Sequence, residues 1–156
     1  GRVRTVQAPG GCGALRLGAE LLKVATPDAT VHTPAPTWAN HVPLIGNAGL
    51  RLQSYPYYTP GSAEVDFDAM IGALDQAKAG DIVLLHACCH NPTGVDLSRA
   101  QWRDVADVLN RRGALPLLDL GTEEQKKTYL PLFTGERFHA ASLALAEPPL
   151  ISTTIG

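Results

Sequence analysis

Long apolar runs are missing from this 156-residue sequence: no stretch approaches the roughly 18 residues that a membrane-spanning helix needs. Basic excess is missing too. Lys and Arg total 13 against 15 Asp and Glu, a formal net charge of −2 that argues against nucleic acid as a partner. Cysteine is scarce. Three residues, with Cys88 and Cys89 adjacent, are too few for a disulfide framework and fit reduced thiols in a cytoplasmic setting. The opening "GRVRTVQAPGG" has no apolar core, so a secretory signal is not expected and the stretch reads as the middle of a longer protein. No second ligand pair joins His86, Cys88, Cys89 and His90 to complete a tetrahedral metal site. On a continuing strand Cys88 and Cys89 would face opposite ways, and buried thiols packing as small hydrophobes are expected there.

What is present is enough for one globular domain, with 45% hydrophobic and 18% charged residues. Apolar residues at three- and four-residue steps predict a helix over 14–25, opened by the turn "GGCG" at 10–13 and stopped by Pro27 and Asp28. "ATVHTPAPTW" predicts a short strand running into a proline-rich loop that holds Trp38, Asn40 and His41. "LRLQSYPYY" alternates like a half-buried strand, and "VDFDAMIGALDQAKAGD" predicts an amphipathic helix with Asp66 or Asp68 near its start and Gly80 as its stop.

The clearest organisation lies in residues 81–120. "DIVLLHACC" is a continuous apolar strand. "DLSRAQWRDVADVLNRRG" is a helix with Ser98 as N-cap, Gln101 three residues on, and Gly113 as C-cap; "ALPLLDL" is a second buried strand. Strand, helix and strand in that length make a βαβ unit with parallel strands. The fold class is therefore α/β, a mostly parallel sheet with flanking helices. Ligands in such folds bind at the carboxyl ends of the strands, where the turn Asn91-Pro92-Thr93-Gly94 and Asp119 should emerge side by side.

Each of these features has two readings. "GGCGAL" is either a tight turn or an anion site at a helix start; it is neither a dinucleotide fingerprint nor a P-loop. Asp119 at a buried strand end needs a partner, either a structural cap or ion pair or a cationic ring nitrogen. Trp38 is either core or a ring stacked on a ligand.

"VQAPGGCGALRLGAELL", "PTWANH", "YPYY", "DFDAM", "VLLHACCHNPTGVDL", "QWRDVADVL" and "LPLLDL", in that order, resemble the large domain of the class I aspartate and aromatic amino acid aminotransferases over residues 1–120. The resemblance implies part of a fold type I large domain and pyridoxal 5′-phosphate as cofactor. It implies transfer of an amino group between an amino acid and a 2-oxo acid, and a homo-oligomer whose sites lie near the subunit interface. By position, Gly11 and Cys12 match the turn that contacts the cofactor phosphate. Trp38 matches the aromatic residue near the pyridine ring and the substrate carboxylate, and His41 the histidine behind the cofactor-binding aspartate. Asn91 matches the asparagine that hydrogen-bonds the cofactor's phenolic oxygen and the substrate, and Asp119 the aspartate paired with the pyridinium nitrogen.

Departures from the family pattern accompany these matches. Cys12 stands where a Thr is usual, and Thr122 where a Tyr is expected. Lys23, Lys78, Lys126 and Lys127 do not match the context of the Schiff-base lysine, so no catalytic residue is assigned and the isolated chain is expected to lack turnover. Residues 121–156, "GTEEQKKTYLPLFTGERFHAASLALAEP" onward, resemble instead a helix–turn–strand segment of the flavin-dependent acyl-CoA dehydrogenases, which implies FAD as an alternative cofactor and a chain joined from two families near Leu120.

Overall fold

A computed structural model describes residues 5–119, so the expected helix–strand tail over 121–156 lies outside the described residues. The elements run α1 (Gly10–Ala25), β1 (Thr30–Ala35), α2 (His41–Gly46), β2 (Arg51–Pro56), α3 (Phe67–Leu74), β3 (Ile82–His86), α4 (Arg99–Arg112) and β4 (Leu115–Asp119). The four strands form one parallel sheet in the order β2-β1-β3-β4.

That order is doubly wound. From β1 the chain steps outward to β2, then returns past β1 to β3 and on to β4. Crossovers of one hand that travel in opposite directions put their helices on opposite faces, and the packing agrees. On one face Ala19 and Leu22 of α1 and Ile45 of α2 meet Val31, Ile82, Leu84 and Leu117. On the other, Met70 and Leu74 of α3 and Trp102, Val105 and Leu109 of α4 meet Val83, Leu85 and Leu118. Alternate residues of β3 thus feed two cores, which is why that strand reads as an unbroken apolar run; all five of its residues are buried. Each such large side chain contributes about 1.5–3 kcal/mol on burial. Tyr55 is buried with its hydroxyl donating to the Leu84 carbonyl at 2.9 Å.

Local signals place α4 where they were expected. Ser98 accepts from the Gln101 N–H while the Gln101 side chain accepts from the Ser98 N–H, a complete capping box, and Gly113 closes the helix at φ 69°. Four expectations need correction. α1 starts at Gly10 rather than at residue 14, so the glycine turn is itself the first turn of the helix. α3 is shorter than the 65–81 pattern: Asp66 caps it, and the chain leaves helical geometry after Asp75 in tight turns ending at Gly80, φ 87°. The loop holding His41 continues into a six-residue helix, α2. Finally β3 stops at His86; Cys88 and Cys89 lie in a bend, so strand alternation does not govern them, and Cys88 is half-buried and Cys89 exposed rather than packed inside.

Candidate functional site

The sheet order reverses between β1 and β3, and in α/β folds ligands bind outside the carboxyl ends of the strands at such a switch point. Three segments meet there: Pro36–His41 after β1, Ala87–Gly94 after β3, and Asp119 at the end of β4. Register fixes the last two, because His86 pairs with Asp119 across the ladder and the Ala87 N–H donates to the Asp119 carbonyl at 3.0 Å. The Asn91 turn and Asp119 do emerge together.

A chain of hydrogen bonds ties these segments. His41, fully buried, places Nε2 3.3 Å from Asp119 Oδ2. Its Nδ1 lies 2.8 Å from Thr37 Oγ1, which is also 3.2 Å from His86 Nε2. His86 Nδ1 accepts the Asn91 backbone N–H at 3.2 Å. That backbone donor sets the direction of the chain. His86 Nδ1 must offer a lone pair, and burial, helped by the neighbouring His90 and His41, lowers the His86 pKa to about 3, so the ring is neutral with its proton on Nε2. His86 Nε2–H then donates to Thr37 Oγ1, the single Thr37 O–H donates to His41 Nδ1, and His41 Nε2–H donates to Asp119. The Asp119 carboxylate is thereby held by His41, with 27% of its side chain left exposed.

Rings brace the same segments. Trp38 is half-buried and meets His41 edge-on at 5.3 Å; it is Trp102 that fills the core. His41 meets His86 at 4.8 Å, His86 stacks on His90 at 4.3 Å, and His90 stacks on Tyr57 at 3.8 Å. Burial lowers His90 to about pH 4, keeping it neutral, and Thr93 Oγ1 sits 2.8 Å from its Nδ1. Asp96 clamps the bend by accepting the N–H groups of Cys89 and His90 at 2.8 and 2.9 Å.

The sequence-predicted residues are distributed unevenly. His41, Trp38 and Asp119 meet directly or through one ring, and Asn91 joins through its backbone. Asn91 itself is exposed. Gly11 and Cys12 lie in the first turn of α1, where Pro9 provides no side-chain cap, so the first N–H groups face outward. Asn40 Nδ2 reaches Cys12 Sγ at 3.9 Å, which brings that helix start beside the Trp38 loop. Thr37, His86 and His90 were not assigned from sequence. The two histidines four residues apart in "HACCH" were the available signal, but for Thr37 no local pattern exists. A separate cavity of about 390 Å³ lies at the opposite edge of the sheet, lined by Thr30, His32, Arg51, Lys78 and Asp81. Its Asp81 lies 3.1 Å from His32 Nε2 and accepts the N–H groups of Thr30 and Lys78. No helix among the described residues is long and apolar enough to cross a membrane.

Comparison with known proteins bears on this arrangement. Residues 1–120 match the family described as aminotransferase class I and II. An aspartate aminotransferase of Pseudomonas aeruginosa is 50% identical over 120 residues, covering 77% of this chain and 30% of the relative. An aromatic-amino-acid aminotransferase of Paracoccus denitrificans is 48% identical over 116 residues, covering 74% of this chain and 29% of the relative. Among solved structures, an aromatic-amino-acid aminotransferase of Burkholderia pseudomallei covalently bound to pyridoxal phosphate superposes with a TM-score of 0.80 at 44% identity, over 85% of this chain and 35% of that one. The chain therefore spans about 30% of the length of the curated relatives it matches.

Proposed function

The chain belongs to the class I and II aminotransferases, and from that premise we propose that it forms part of a pyridoxal-phosphate enzyme exchanging an amino group between an aspartate-type or aromatic amino acid and a 2-oxo acid. The observation that carries this reading is Asp119: a carboxylate at the carboxyl end of β4, tied through His41, Thr37 and His86 to the segments that follow β1 and β3 at the switch point, with 27% of its side chain exposed.

The residues present fit such a cofactor. Asp119 would accept the N–H of the pyridine ring and keep that nitrogen protonated. His41, Thr37 and His86 fix the carboxylate's orientation. Trp38, standing over His41, would face the ring, and Asn91 would meet its phenolic oxygen and the substrate. Gly11 and Cys12 offer backbone N–H groups at a helix start, which suit a phosphate without needing a hydroxyl at position 12. When bound, the cofactor supplies an electron sink for the amino acid's α-carbon. Residues 1–120 are thus assigned to a cofactor-binding large domain, with 121–156 as a separate segment.

The catalytic base is another matter. Lys23 Nζ donates to the Pro27 carbonyl beyond the end of α1, and Lys78 precedes β3; both lie at the strands' amino edge, opposite Asp119. The isolated chain should bind the cofactor without turning over. Exposed Leu17, Leu21 and Val24 along one side of α1 favour a homo-oligomer, and three free cysteines favour the cytoplasm.

Pyridoxamine phosphate, which lacks the aldehyde and so needs no lysine, tests the pocket by fluorescence titration. Saturable binding is expected, weakened at least about tenfold in Asp119→Asn through loss of a charge-assisted bond. Binding that is absent, or equal in the variant, overturns the reading. Borohydride reduction with pyridoxal phosphate should give no stoichiometric, turnover-competent lysine adduct.

A further inference from the structure

Two adjacent cysteines on a strand would point their sulfurs to opposite faces of the sheet. Here the strand ends first. The backbone bends after His86 and Cys89 takes φ 51°, a left-handed conformation seldom adopted outside glycine. The carboxylate of Asp96 holds that bend from behind through the N–H groups of Cys89 and His90, and the Gly94 N–H closes it onto the His90 carbonyl at 2.6 Å. The outcome is a pair of free thiols on adjacent residues, one half-buried and one exposed, in a bend where strand alternation does not send them to opposite faces.

We propose that Cys88 and Cys89 form a chelating dithiol site for organic arsenic(III) compounds, soft electrophiles that take two sulfurs. The donor count selects this class. Among the described residues no group of three or more Cys, His, Asp or Glu side chains is placed to share a metal, whereas structural zinc takes four ligands. An organoarsenic(III) centre keeps its carbon substituent and needs two sulfurs only. The reaction is a condensation without redox change. In R–As=O plus two thiols, two As–S bonds form, the arsenic–oxygen bond breaks, and both thiol protons leave with the oxygen as one water. Cys89, exposed, makes the first bond. Cys88, whose thiol burial and the neighbouring Cys89 keep protonated, closes the ring second, from the adjacent residue.

Phenylarsine oxide titrated into the 156-residue chain tests this by intact mass and thiol counting. One reagent should bind per chain, with a mass gain of the reagent less one water and loss of two of the three thiols. A 1,2-dithiol should reverse it, and an equal thiol concentration of a monothiol should not. Cys12→Ser, which removes the remaining thiol, should leave binding unchanged. Cys88→Ser and Cys89→Ser, each checked for unaltered circular dichroism, should weaken it on the order of 100-fold because the second bond is no longer intramolecular. Loss of the Cys12 thiol on binding, or affinity in either serine variant equal to that of the unaltered chain, would overturn the assignment.

Discussion

Thr37 has one hydroxyl, and two imidazoles converge on it. Its oxygen accepts from His86 and its proton goes to His41, so this side chain decides which nitrogen of His41 faces Asp119 with a proton. Thr37→Val keeps the shape and removes both bonds, leaving His86 Nε2–H and His41 Nδ1 without partners in a buried setting. A loss of about 1–3 kcal/mol in urea unfolding is expected, with Thr37→Ser close to the unaltered chain. A valine variant as stable as the parent would show that the hydroxyl bridges nothing. The end points of this network were legible in the sequence, because strand ends in parallel sheets are where polar residues face a ligand; Asp119 and Asn91 stood out on that ground. Its middle was not. Thr37 and His86 are 49 positions apart, and no local spacing brings them together. The cysteines were misjudged for a related reason: a bend imposed by Asp96, seven residues beyond Cys89, decides their exposure.

At the level of elements, α4 was readable because its ends are written in side chains next to it. Ser98→Ala removes half of the capping box and should cost about 1 kcal/mol. Gly113→Ala should cost about 1 kcal/mol or more, since φ is 69° there and an added Cβ would come 3.3 Å from that of Ala79. Urea unfolding followed by circular dichroism measures both, and Gly113→Ala with unchanged stability would contradict the left-handed cap. α2 escaped notice for the opposite reason. Its six residues bury only His41 and Ile45, too short a stretch to show a period, and it exists because β1 must reach the start of β2 with His41 turned inward. α3 was overextended because apolar spacing continues to Ala77, although that residue is buried by a turn and not by helix. β2 alternates in sequence, yet only Tyr55 is buried along it; on this outer strand the pattern records one anchoring ring more than a buried face.

Across the whole molecule, acid should act on both edges of the sheet, in a fixed order. His86 and His90 are buried and neutral, with pKa lowered to about 3 and about 4, mainly by burial, whereas an unfolded histidine titrates near 6.5. Between those values the unfolded chain binds more protons than the folded one. Stability is therefore full above about pH 6.5 and declines as pH falls through 6 and 5 toward 4. Asp81 adds a second loss at lower pH. Burial pushes its carboxyl up, but the Lys78 N–H, His32 and the Thr30 N–H together bring it below the usual carboxylate value, so its contribution holds above about pH 4 and disappears below it. The two edges can be separated by substitution. In urea midpoints measured from pH 8 to 3, His90→Gln should flatten the slope between about 6.5 and 4 while leaving the steeper fall below 4. Asp81→Asn should do the reverse, at the expense of stability at neutral pH, because three donors lose a charged acceptor. A midpoint that does not change between pH 7 and 5 in the unaltered chain would mean that His86 and His90 are not held neutral, and the direction assigned to the hydrogen-bond chain, from Asn91 to Asp119, would fail with them.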